Sequence, residues 1–252
     1  MATLKAFALL LGAVAVAASV LVASLAVSTP IPAPTGPAHL RLDSVAVSPE
    51  PVVPGSEVNV SAQVTGVLHP RVYVAYGVEF VRPEAGAVAM VRVAGDLFSA
   101  RIGPFGEGAH VWLFVAAFVG EAAPVSSEPT AFVVGDPPPG GVSTLQIAGV
   151  AQSPMDPRFA FQDVSVSADV TSSAAIQSVT LTYVRVRREG GDGATVAMAG
   201  GNGSPYFANI PRWEGSDAWV LVGYRIAASD AAGSRAVTAV RMYLVEMPRP
   251  VP

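Results

Sequence analysis

Apolar and polar residues alternate with a period of two along most of the chain. Val58, Val60, Ala62 and Val64 interleave with Asn59, Ser61 and Gln63, and Val164, Val166, Ala168 and Val170 interleave with Ser165, Ser167 and Asp169. Successive side chains of a strand point to opposite faces, so each stretch predicts a strand with one face on a core and one in water. Such runs recur roughly every 8–15 residues between clusters of Gly, Pro, Asp and Ser, the spacing of antiparallel two-sheet sandwiches. In the second half the strands are expected near residues 145–150, 163–170, 178–187, 195–198, 206–210, 219–229 and 235–246.

The two halves read as copies. Residues 57–66 (EVNVSAQVTG) align with 163–172 (DVSVSADVTS) at an offset of 106, Val72–Tyr76 with Val179–Tyr183 at 107, Met90 with Met198 at 108, and Phe114 with Tyr224 at 110. An offset that creeps upward is what small loop insertions leave after a tandem duplication. The expected organisation is a sandwich over 40–135, a Pro/Gly linker over 136–142 (DPPPGGV) and a second sandwich over 143–247, with a tail at 248–252.

Residues 6–27 break the pattern. They carry no charge and are long enough to cross a bilayer as a helix, about 20 residues being required. With Lys5 on the N-terminal side, residues 1–28 are expected to be a signal sequence or a transmembrane anchor that places the rest of the chain outside. Ser24-Leu25-Ala26 offers small residues for a signal peptidase, and Lys5-Ala6-Phe7-Ala8 resembles an archaeal prepilin cleavage site. Residues 29–39 alternate proline with small residues and predict an extended spacer.

One strand in the first half loses its alternation: residues 110–119 (HVWLFVAAFV) are apolar on both faces. Aligned on Val222, Tyr224, Ile226 and Ala228, the inward set is expected to be Trp112, Phe114, Ala116 and Phe118. Val111, Leu113 and Val115 would then face outward beside Tyr73 and the Phe132 strand. A stripe of that kind marks a contact surface, covered by the second sandwich, by the N-terminal spacer or by another protein molecule.

The second half, with Val179-Thr180-Leu181-Thr182-Tyr183, Met198, Tyr206 to Pro211 and Val222 to Gly233, resembles the immunoglobulin-like or fibronectin-type-III-like modules of prokaryotic surface proteins. The first half resembles them more loosely. The resemblance implies an all-β chain of two tandem antiparallel immunoglobulin-like β-sandwiches after one N-terminal hydrophobic helix. It implies spacing, adhesion or complex assembly rather than catalysis, and departs from antibody domains in lacking a Cys pair. Two other functions remain open: a subunit of a cell-surface filament, pilin-like or joined by strand exchange, and an accessory domain of a carbohydrate-active system.

Composition narrows the chemistry. The net charge is −4, with 15 Lys+Arg against 19 Asp+Glu, so nucleic-acid binding is not expected. Lys5 is the only lysine and cysteine is absent, which removes lysine Schiff-base and thiol chemistry from everything beyond the first residues. His39, His69 and His110 show no metal-ligand spacing, and no serine-nucleophile or phosphate-loop motif occurs. No catalytic residue, cofactor or metal is therefore assigned. Glu189-Gly190-Gly191-Asp192-Gly193 is expected to be a flexible hairpin tip, with at most weak calcium binding, and Asp230 a turn former. Asn59-Val60-Ser61 and Asn202-Gly203-Ser204 are candidate glycosylation sequons.

Overall fold

A computed structural model of the chain describes residues 40–136, 144–155, 162–201, 204–215 and 217–246. The N-terminal segment, the proline spacer with His39, the linker beyond Asp136, Asn202 and the C-terminal tail lie outside these residues. Among the described residues there are eighteen strands, and no helix is long and apolar enough to cross a membrane.

Nine strands build the first sandwich: β1 (Arg41–Ser48), β2 (Val58–Thr65), β3 (Arg71–Glu79), β4 (Glu84–Ala89), β5 (Val91–Ala94), β6 (Leu97–Ile102), β7 (His110–Phe118), β8 (Val125–Ser126) and β9 (Thr130–Val133). One sheet runs β1-β2-β6-β5. The other runs β4-β3-β7, with β8 and β9 both paired to β7. Nine more follow: β10 (Gln146–Ser153), β11 (Val164–Thr171), β12 (Ile176–Arg187), β13 (Gly190–Ala197), β14 (Ala199–Gly201), β15 (Ser204–Ile210), β16 (Trp219–Asp230), β17 (Arg235–Val237) and β18 (Arg241–Glu246). Their sheets run β10-β11-β15-β14 and β13-β12-β16, with β17 and β18 on β16. The second sandwich thus repeats the first strand for strand, in the sheet orders of the immunoglobulin-like arrangement.

The alternation in β2 and β11 does what the pattern predicts. Val58, Val60 and Val64 enter one core, and Val164, Val166 and Ala168 the other, while Asn59 and Gln63 remain exposed. The stretch expected as one strand over 235–246 is split into β17 and β18, because Thr238 leaves the ladder: its Oγ1 accepts from the Ile226 N–H and its own N–H donates to the Ile226 carbonyl. Asp230 is a turn former, its Oδ1 accepting from the Ala232 and Ser234 amides.

The two faces of β7 are the reverse of the expected ones. Val111, Leu113 and Val115 are fully buried in the core of the first sandwich with Val74 and Val60. Trp112, Phe114, Ala116 and Phe118 point the other way and are buried too, because a second layer lies over them. The reason is register. Tyr76 pairs with Leu113, and its counterpart Tyr183 pairs with Tyr224, so the residue equivalent to Tyr224 is Leu113 and not Phe114. A one-residue slip turns every side chain of a strand to the opposite face.

Candidate functional site

The layer over β7 is the second sandwich. Tyr73, Ala75, Trp112, Phe114, Ala116 and Phe118 from the β4-β3-β7 sheet share a buried cluster with Val184, Val186 and Leu221 from the β13-β12-β16 sheet, flanked by Val240, Met242 and Leu244. The two sandwiches are joined face to face through equivalent sheets. Of the four residues expected on a contact surface, only Tyr73 is there.

The first sandwich presents the rings and the second the space for them. Trp112 and Phe114 lie nearly parallel, at 13° with 6.3 Å between centroids. Trp112 lies over Gly77, its cross-strand partner, where an added Cβ would come within 2.5 Å of the indole. Phe114 lies on Gly223 of β16 at the same closeness. At the β4 edge side chains all but vanish: a Cβ on Gly191 would sit 2.6 Å from that of Ala87, and one on Gly193 2.7 Å from that of Ala85. The Gly-rich stretch expected to be a flexible tip therefore forms strand β13, packed on β4. Asp192 in it holds Arg185 through Oδ1 at 2.7 Å. Among the described residues no three His, Asp or Glu converge as a metal-binding group.

Polar links cross the rim. The Tyr73 hydroxyl donates to the Arg188 carbonyl at 2.8 Å, and Arg71 pairs with Glu189. The Trp219 indole N–H donates to the Glu121 carbonyl at 3.1 Å, and Arg235 donates to the Gly108 carbonyl at 2.8 Å. Arg235 also lies over the ring of Phe80, 4.9 Å from its centroid, and that ring meets His110 edge-on. Phe80 sits at φ 71°, a left-handed conformation that a bulky residue adopts only when its surroundings hold it there.

One charged pair lies inside. Glu79, 1% exposed at the end of β3, has an oxygen 3.4 Å from Nη1 of Arg225 on β16, whose Nε donates to the Thr238 carbonyl at 2.8 Å. Burial pushes the Glu79 carboxyl up to about 7, opposed by Arg225 and by the Trp112 N–H. Burial likewise works against the charge on Arg225, with Glu79 opposing. His110, the cross-strand partner of Glu79, is lowered to about 4 by burial and by Arg225 and Arg235. Burying two charges costs several kcal/mol, whereas each large apolar side chain withdrawn from water contributes about 1.5–3 kcal/mol. The rings therefore hold the junction. The pair, to the extent that Glu79 is ionised, penalises any docking in which Arg225 lacks its carboxylate.

Glu79, Arg225 and Arg235 carry no motif that marks them in the sequence. The available signal was a charge inside an apolar run: RVYVAYGVE ends on Glu79, and VLVGYRIAAS carries Arg225 in its middle. His110, expected at the opening of a strand, does open β7 and faces the junction. Asn59 is exposed on the outer face of β2, its Oδ1 accepting from the Ser99 hydroxyl at 2.6 Å.

No protein family and no curated protein matches the chain. Among solved structures it is similar to a tetra-tandem repeat in the extending region of a large adhesion protein, at 15% identity and a TM-score of 0.31, over 82% of this chain and 50% of that one. It is also similar to the FN1–FN3 domains of chicken CNTN1, at 12% identity and a TM-score of 0.27, over 81% of this chain and 67% of that one. The chain thus spans half the length of the first of these.

Proposed function

We infer that the chain is a non-enzymatic surface protein in which two immunoglobulin-like domains, residues 40–135 and 143–247 on either side of the 136–142 linker, support adhesion or complex assembly outside the cytoplasm. The observation that carries this is the junction. The sheets of the two sandwiches that bear the large apolar faces are spent on each other, so the pair acts as one stiff block rather than two independent beads. A stiff block suits holding a partner at a fixed distance and orientation. The outer sheets, β1-β2-β6-β5 and β10-β11-β15-β14, are what such a partner would meet, and residues 1–28 would export or anchor the block.

Protease added to intact cells tests the location. Digestion of the sandwiches supports the reading, and full protection that ends only on lysis sinks it. The sequon at Asn59 belongs to the same proposal, since its side chain is on an open outer face. A glycan on the peptide carrying Asn59, read by mass spectrometry of the native protein, supports use of the site, and an unmodified peptide in fully exported protein rejects it.

A further inference from the structure

The junction buries an acid and a base side by side. Glu79 and His110 are directly paired across β3 and β7, and both project from the face that the second sandwich covers. With the sandwiches apart, that face meets water. Docking withdraws both groups from it, and withdrawal from water disfavours charge of either sign. A carboxylate is thereby driven to bind a proton and an imidazolium to lose one.

The neighbours set how far each goes. Arg225 reaches in from β16 and Arg235 from β17; Trp112 on β7 adds its indole N–H. On the β4 side Glu84 stands opposite Val78, and its charge bears on Tyr76, which packs against the core of the first sandwich. The two arginines favour neutral His110, and Arg225 partly restores the charge of Glu79 without overcoming its burial.

We propose that closing the junction moves protons in both directions, Glu79 taking one up and His110 giving one up, so that the joint keeps its strength across mildly acidic pH. The signs follow from linkage. Glu79 is raised in the closed state from 4.5 to about 7, so its contribution is complete below 4.5 and is lost as pH rises towards 7. His110 is lowered from 6.5 to about 4, so its contribution is complete above 6.5 and is lost as pH falls towards 4. Between 4.5 and 6.5 one group releases what the other binds, and the two slopes cancel. The inference concerns the junction alone and stands apart from the adhesion reading.

Urea unfolding of the purified full chain, followed by tryptophan emission between pH 4 and 8, tests it against Glu79→Gln and His110→Gln. Opening and global unfolding both return the two groups to water, so either transition reports the linkage. Other carboxylates titrate identically in all three proteins and drop out of the ratio of folding constants. Each pH unit across which a bound proton differs is worth tenfold. Relative to the parent, Glu79→Gln should gain about 80-fold as pH rises from 4.5 to 7, and His110→Gln about 80-fold as pH falls from 6.5 to 4. A ratio independent of pH for either variant overturns the proposal. Should a variant fail to fold, imidazole NMR of the parent chain decides. A resonance titrating near 4 that is absent from His110→Gln spectra or shows cross-strand contacts to Glu79 supports the proposal, and no histidine titrating below the ordinary range overturns it.

Discussion

Strands β7 and β16 occupy the same place in the two sandwiches and are built oppositely on their outer faces. In β7 that face carries Trp112, Phe114 and Phe118, whereas in β16 it carries Leu221, Gly223 and Arg225. Their inner faces remain alike, Leu113 and Val115 in one core and Tyr224 and Ile226 in the other. The difference teaches that the inner face answers to the fold and the outer face to the neighbour. Two copies of one scaffold have become a knob and a socket through the residues of the face that the fold leaves free.

The sharpest way to break that comparison is a carboxylate on each face of β7. Leu113→Glu should unfold the first sandwich, since a lone buried carboxylate costs several kcal/mol against a total stability of about 5–15 kcal/mol. Phe114→Glu should open the junction and leave both sandwiches folded. Thermal melting by circular dichroism together with sedimentation separates the outcomes: loss of β signal for the first, retained signal with slower sedimentation for the second. The reverse result would restore the faces expected from the sequence.

Truncation is milder. Phe114→Ala removes the ring that rests on Gly223 and should cost about 3–5 kcal/mol in urea unfolding. Gly223→Ala crowds the same contact from the other side and should cost about 1–3 kcal/mol. Made together they should cost less than the sum, because the ring that the new methyl strikes is gone; strict additivity would mean the two do not touch. The smallest effect is expected at the rim, where Tyr73→Phe removes the hydrogen bond to Arg188 and should cost about 1 kcal/mol, read as a modest fall in the urea midpoint.

Much of this fold is legible in the chain. Period-two runs gave the strands of each half, and the creeping offset gave the copies, because a half-buried strand must alternate. Legibility ends where both faces of a strand are buried. In β7 the alternation that would reveal the inner face is absent, and the alignment offset of 110 at Phe114 is one residue short of the observed pairing. Inner and outer faces were exchanged by that single residue. The junction was legible only as an excess of apolar surface; its polar members, Glu79 and Arg225, lie in different domains, farther apart in sequence than the length of either, and meet only because the two sheets face each other. The glycines of β13 misled for a related reason. Gly191 and Gly193 read as a loose tip, yet there the backbone itself is the packing surface against Ala85 and Ala87.

That surface of near-absent side chains bears on how the gene can change. After a duplication either copy is ordinarily free to decay, since the other still folds. Once Ala85 and Ala87 lie against Gly191 and Gly193, and the Phe114 ring against Gly223, deleting either copy strands the other with an uncovered greasy sheet. Enlarging any one of these residues is refused by its opposite number. The doubled gene has lost its spare: the halves can be inherited only as a pair, and their contact positions can drift only in step.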